Sequence, residues 1–241
     1  MSGRVVQSSD PLQYDIVEGI DILDNRVRAV HPCFNGAPRQ ELLVIRENHG
    51  TGKRSLDLLR WGLIPHWTKA VNPRIRPINA SSEHVANSPM FQSAYARRRC
   101  IVPVDAFFEW REIKGVRRKQ PYAIAMKDGG PFGLAGIWEN WQHPQTREWV
   151  RTFAIITTEA NDLLAPIHDR MPVILAPADC DRWLSAHEPD PHDLLKPYPT
   201  APMVVWPIST RVNSPENDDV SIMEMDEAVA QNARMVVEPR L

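Results

Sequence analysis

The chain has 241 residues, 43% hydrophobic and 24% charged, with a formal net charge of −2. That is ordinary globular composition and enough chain for a sizeable core. The near-neutral balance excludes a global basic field, so any nucleic-acid contact must come from a local patch. The apolar runs are too short to cross a bilayer and no charged-then-apolar leader opens the chain, so no membrane partner and a cytoplasmic location are expected.

Cys33, Cys100 and Cys180 are far apart and form no CxxC, which argues against a disulfide framework or a zinc site. No metal and no cofactor are expected. The 22 prolines disfavour long helices and point to short strands joined by fixed turns. In chain order, residues 26–34, 40–47 and 56–65 read as strand-like segments. Residues 81–99 read as helical, with Ser81 or Ser82 as N-cap and Pro89 dividing the helix. Residues 100–110 read as one alternating strand, with Val102, Val104, Ala106, Phe108 and Trp110 on one side and Pro103, Asp105, Phe107 and Glu109 on the other. A basic turn, 112–121, leads to further strands at 122–126, 132–141, 151–161 and 168–177. Pro177 is placed to start a short helix. Residues 226–237 read as a terminal helix. The fold class expected is α+β: a single compact domain around a strongly bent, barrel-like, mostly antiparallel sheet with a few short helices. The domain is placed at residues 1–224, with a C-terminal extension at 225–241 forming a short helix packed on it.

Two motifs fail on inspection. "GTGKRS" at 50–55 is similar to a phosphate loop, but the required first glycine falls on Glu47. "HEPDPH" at 187–192 has the wrong spacing for a zinc-binding His pair, and its prolines forbid the helix such a pair needs.

Six segments in order carry a resemblance: "WGLIPHW" (61–67), "INASSE" (78–83), "RRCIVPVDAFFEW" (98–110), "LAGIWE" (134–139), "FAIITTEAN" (153–161) and "IHDRMPVIL" (167–175). "FNGAP" (34–38) joins them. Together they resemble the SRAP family, the SOS-response-associated peptidases or abasic-site-processing proteins, from residue 1 to about residue 224. The resemblance implies a compact α+β domain that binds single-stranded DNA containing abasic sites. It also implies removal of the initiator Met and condensation of an exposed N-terminal Cys with the ring-opened sugar aldehyde.

The chemistry explains the use of a terminus. A free α-amine titrates near ~7.7–8.0, so a useful fraction is neutral and nucleophilic at pH 7, whereas a lysine near ~10.4 is not. On the resemblance, Ser2, Asn79, Glu109 and His168 are the catalytic positions. Glu109 holds and deprotonates the α-amine, His168 acts as general acid/base in imine formation or reversal, and Asn79 fixes the N-terminal backbone. Arg4, Asn35, Pro38, Trp67, Arg76 and Ser81 are the DNA-binding positions. Trp61 reads as core and Trp67 as a surface on which an unpaired base can stack. Lys69, Arg74, Arg97–Arg99, Arg117, Arg118 and Lys119 supply further positive charge.

Two departures stand out: Ser2 replaces the family's Cys, and Ser81 the Arg of Asn-Ala-Arg. A hydroxyl supplies essentially no alkoxide at neutral pH, so Ser2 implies an amine-only imine that reverses more readily than the family's thiazolidine. Ser81 loses a phosphate or sugar contact and serves as an N-cap. Two alternatives stay open: a non-covalent single-stranded or abasic DNA-binding module that has lost the chemistry, and a self-processing peptidase acting in cis on Met1. Whether the chain is an enzyme is therefore open at this level. Oligomeric state is not readable, and a monomer is expected.

Overall fold

A computed structural model describes residues 3–14, 16–48, 51–71, 73–115, 117–185 and 187–234. The strands are β1 (Val5–Gln7), β2 (Ile20–Leu23), β3 (Cys33–Gly36), β4 (Glu41–Glu47), β5 (Arg54–Trp61), β6 (Asn79–Ser81), β7 (Arg99–Val104), β8 (Ala106–Arg111), β9 (Gln120–Met126), β10 (Phe132–Gln142), β11 (Trp149–Glu159), β12 (Arg170–Pro172), β13 (Ile174–Leu175) and β14 (Met203–Pro207). The α-helices are short: α1 (Ser82–Val85), α2 (Gln92–Arg97), α3 (Cys180–Leu184) and α4 (Glu227–Arg234). Among the described residues no helix is long and apolar enough to cross a membrane.

The larger sheet closes on itself. Strands β11, β10, β7, β4 and β5 follow one another, and β5 returns to β11 through a parallel pairing of Arg60 and Trp61 with Thr152 and Phe153. The result is a closed five-stranded barrel, mostly antiparallel, as the sequence predicts. A second sheet, in the order β14-β9-β8-β1-β3, stacks against it.

Packing explains the near-continuous apolar strands. On β4, Leu42 and Val44 pack with Val5, Phe107 and Ile124 of the second sheet. Leu43 and Ile45 pack on the other face, with Tyr95, Trp183 and Leu184 from the helices. A strand covered on both faces loses the polar half of its alternation. Trp61 is fully buried, stacks on Phe153 with ring centroids 6.0 Å apart, and donates its indole N–H to Ile78 O at 2.9 Å. Burying side chains of this size contributes about 1.5–3 kcal/mol each.

Three expectations need correction. Residues 100–110 are two strands rather than one: the chain leaves the barrel after Val104, bends at Asp105, and enters the second sheet at Ala106. The faces exchange at the bend: Val102 and Val104 pack in one core with Phe107, whereas Ala106, Phe108 and Trp110 pack in another, so the expected single face from Val102 to Trp110 breaks at Asp105. Residues 26–34 form a 3-10 turn over Val27–Ala29 and reach strand geometry only at Cys33, because Pro32 and the carbonyl-bonded turn interrupt the ladder. Residues 81–99 split into α1 and α2 on either side of Pro89, with Ser81 at the N-cap position, but the Ser81 side chain makes no capping bond and its Oγ meets His84 Nδ1 at 2.9 Å.

Candidate functional site

Glu109 lies near the end of β8, on the face that Phe107 turns toward the barrel. It is 1% exposed, and burial pushes its carboxyl up to about 7, with the charge of Asp169 acting in the same direction and the Trp110 backbone N–H against it. A carboxyl near 7 both accepts and releases a proton at neutral pH.

Strand β1 runs antiparallel to β8, with Val5 opposite Phe107, Val6 opposite Ala106, and the Phe108 N–H donating to Arg4 O at 3.1 Å. Continuing that register by two residues sets Gly3 opposite Glu109. Ser2 lies outside the described residues.

His168 closes a tight turn. The Asn161 Oδ1 accepts from Leu164 N at 3.1 Å, the His168 N–H donates to Leu164 O at 3.0 Å, and Asn161 Nδ2 anchors the turn to Tyr198 O at 2.7 Å. His168 Nδ1 accepts the Arg170 N–H at 3.0 Å and lies 2.8 Å from Asp169 Oδ1. The first contact fits the neutral ring and the second the charged one. Burial lowers the His168 pKa below its ordinary value, so the neutral ring, with its proton on Nε2, predominates at pH 7. Ala165–Asp169 face the Trp110–Glu112 end of β8, and Lys119, across one cleft. The strand of Glu109 and the loop of His168 are thus brought together.

Asn79 starts β6, which runs beside β11 with Asn79 opposite Ile155 and Ser81 opposite Thr157. Thr157 is also opposite Pro172 of β12. Arg170 ties this region together: its guanidinium grips Glu83 of α1 with bonds of 2.5 and 2.9 Å and donates to Thr157 O at 2.7 Å. The sequence reading quoted Glu83 and Arg170 within motifs but assigned neither a role. Each lies inside a quoted segment, close in sequence to Asn79 or His168, which was the available signal.

The other named positions divide sharply. Trp67 is 55% exposed. Arg76 donates Nε–H to Pro73 O at 2.9 Å, and its pKa is lowered by burial and by the like charges of Arg39 and Arg60. None of these three arginines makes an ion pair among the described residues. Arg39 and Arg60 escaped the sequence reading, although they flank the "FNGAP" and "WGLIPHW" segments. Fold geometry assembles them: Arg39 takes a left-handed φ of 76° and donates its N–H to Trp61 O at 2.8 Å. Gly62 sits at φ 123°, where a Cβ would lie 3.4 Å from that of Arg76. The Leu63 N–H donates to Pro77 O at 2.9 Å, lacing the Trp61–Trp67 segment to the one that enters Asn79.

Asn35 is fully buried, and its side-chain amide donates to Val212, Ser214 and Asn217 carbonyls, so the structure gives it an internal bracing role. Pro38 is half-buried beside Arg39. Arg4 is half-buried and donates to Gly3 O and Asn213 O. Of the basic run, Arg99 is 1% exposed and holds carbonyls of Tyr95, Trp183, Ser185 and Glu188, while Arg98 pairs with the buried Glu139. Those two charges serve the fold. Among the described residues no three His, Cys, Asp or Glu side chains converge as a metal site.

A family model described as SOS response associated peptidase (SRAP) matches residues 1–215. The abasic site processing protein YoqW of Bacillus subtilis is 39% identical over 197 residues, covering 80% of this chain and 86% of its own. YoaM of the same organism, also named an abasic site processing protein, is 37% identical over 216 residues, covering 88% and 93%. A solved structure of a protein from Bacteroides thetaiotaomicron superposes with a TM-score of 0.81 at 27% identity, covering 92% of this chain and 98% of that one.

Proposed function

This chain belongs to the SRAP family, and from that premise we propose that it processes abasic sites in single-stranded DNA through its N-terminal α-amine. The relatives named for abasic-site processing support the lesion. The observation that carries the chemistry is the β1–β8 register, which sets Gly3 opposite a buried Glu109 whose carboxyl titrates at about 7.

The steps follow from that placement. Removal of Met1 exposes the amine of Ser2. Glu109 takes a proton from the ammonium, and the neutral amine adds to the sugar aldehyde to give a carbinolamine. Glu109 returns that proton to the departing hydroxyl, which leaves as water as the imine forms, while the Nε2–H of neutral His168 hydrogen-bonds to the departing oxygen. Asn79 and the Glu83–Arg170 pair hold the surrounding backbone. With oxygen rather than sulfur at residue 2, ring closure onto the imine is weak, so the adduct forms and reverses. Arg39, Arg60 and Arg76 contact phosphates and Trp67 stacks on an unpaired base.

A second reading, binding without covalent chemistry, rests on the unpaired arginines and exposed Trp67 alone, which need nothing from residue 2. Incubation with abasic single-stranded DNA and borohydride, followed by a denaturing gel, separates the two. The expected result is an adduct trapped under reduction and largely lost without it. Salt-dependent binding with no trapped adduct leaves the second reading. An intact mass that retains Met1 overturns the first.

A further inference from the structure

Asp105 stands where the chain crosses from the barrel into the second sheet, and it grips the segment that follows β1. Its backbone N–H donates to Val6 O at 2.8 Å. Its Oδ2 accepts from the Ser8 and Ser9 backbone N–H groups at 2.6 and 3.0 Å, from Ser8 Oγ at 3.2 Å and from the Tyr14 hydroxyl at 2.9 Å, and its Oδ1 accepts from Ser9 Oγ at 2.5 Å. Five donors on one carboxylate make it a fixed anchor.

The anchor matters because β1 cannot hold its own register. It is three residues long, it meets β8 at two residue pairs, and its pairing with β3 is irregular between Val5 and Gln7. Short ladders slip, and a slip of one residue turns every side chain to the other face. Gln7 supplies one brace, with its amide bonded to Leu43 on β4 and Pro103 on β7. Asp105 supplies the brace on the side of the ladder that also carries Glu109, four residues further along the same chain.

We infer that Asp105 is a positioning residue: by clamping Ser8, Ser9 and Tyr14 it locks the register of β1 on β8 and so delivers the head of the chain to Glu109. This deepens the amine reading and rests on it for its catalytic meaning, but the register itself is independent of DNA. Holding the two reacting groups in place removes the entropy an untethered terminus loses at each encounter.

The test replaces Asp105 in the full chain by Ala and by Asn, and follows the Glu109 carboxyl by carbon NMR alongside reductive trapping. Asp105→Ala is expected to move the Glu109 midpoint from about 7 toward the ordinary carboxylate range as water enters beside a loosened β1. Trapping is expected to slow roughly tenfold or more, with affinity for unmodified single strands unchanged. Asp105→Asn keeps the Oδ2 acceptor and turns its NH2 to Ser9 Oγ, which can accept, so it rescues most of both readouts. If Asp105→Ala does not fold, Ser9→Ala and Tyr14→Phe each remove one donor and shift both readouts in the same direction, less far. An unchanged Glu109 midpoint and unchanged trapping in these folded variants overturn the inference. A midpoint that moves while the unaltered protein traps nothing overturns the amine chemistry and leaves Asp105 as the register lock.

Discussion

The β8 strand around Glu109 and the region carrying Arg39, Arg60 and Arg76 treat charge in opposite ways. Glu109 is enclosed, and enclosure brings its carboxyl to the pH at which a proton moves cheaply in either direction. Arg76 feels the like charges of Arg39 and Arg60, and none of the three has a carboxylate partner among the described residues. Under the proposed function, the first region serves proton transfer and the second holds a polyanion. The pairing of β1 with β8 sets one, and the end of β5 with its neighbouring loops sets the other, so the two separate under mutation.

The largest expected effect is on chemistry. Glu109→Gln keeps the shape of the strand and removes the titrating group, and reductive trapping falls by about 10²–10⁴ while affinity for intact single strands is largely retained. Equal losses in both measurements would erase the division between the regions. The reverse change, Arg39, Arg60 and Arg76 all to Ala, lowers affinity and flattens the salt dependence of single-strand binding. If each meets one phosphate, the slope of log affinity on log salt drops by about 2. An unaltered slope would show that the strand passes elsewhere. Trp67→Ala costs about 1–3 kcal/mol of single-strand affinity with the salt slope preserved, read by fluorescence anisotropy across a salt series.

The smallest effect is on stability and fixes the sign of the Glu109 shift. Its folded pKa, about 7, is raised above the unfolded value near 4.5. Between those pH values the folded state holds a proton the unfolded state has lost, so stability falls as pH rises through that window and levels off above 7. Glu109→Gln cannot ionise and escapes the loss. Its melting temperature therefore exceeds the parent's by several degrees at pH 8, and the gap closes near pH 4.5. A gap independent of pH would mean that Glu109 is not held protonated by burial.

Residue types and periodicity made much of this legible. The proline-punctuated apolar runs announced short strands, the ordered motifs announced the family, and Glu109 and His168 were named before their surroundings were known. Asn35 shows what sequence leaves open: a buried amide bracing carbonyls and an exposed amide reading a phosphate look alike in one dimension. Arg99 presents the same ambiguity with a full charge.

By itself the sequence determined the strand-rich α+β class, the family, the departures at Ser2 and Ser81, and which ionisable groups stood at the motif positions. Those are properties of local composition and order. Only the tertiary structure decided that residues 100–110 change sheets at Asp105, that three arginines distant in sequence share one region, and that Glu109 is enclosed. Each depends on which strands pair and what covers them, and a pKa, a register or a charge cluster exists only once those long-range contacts have formed.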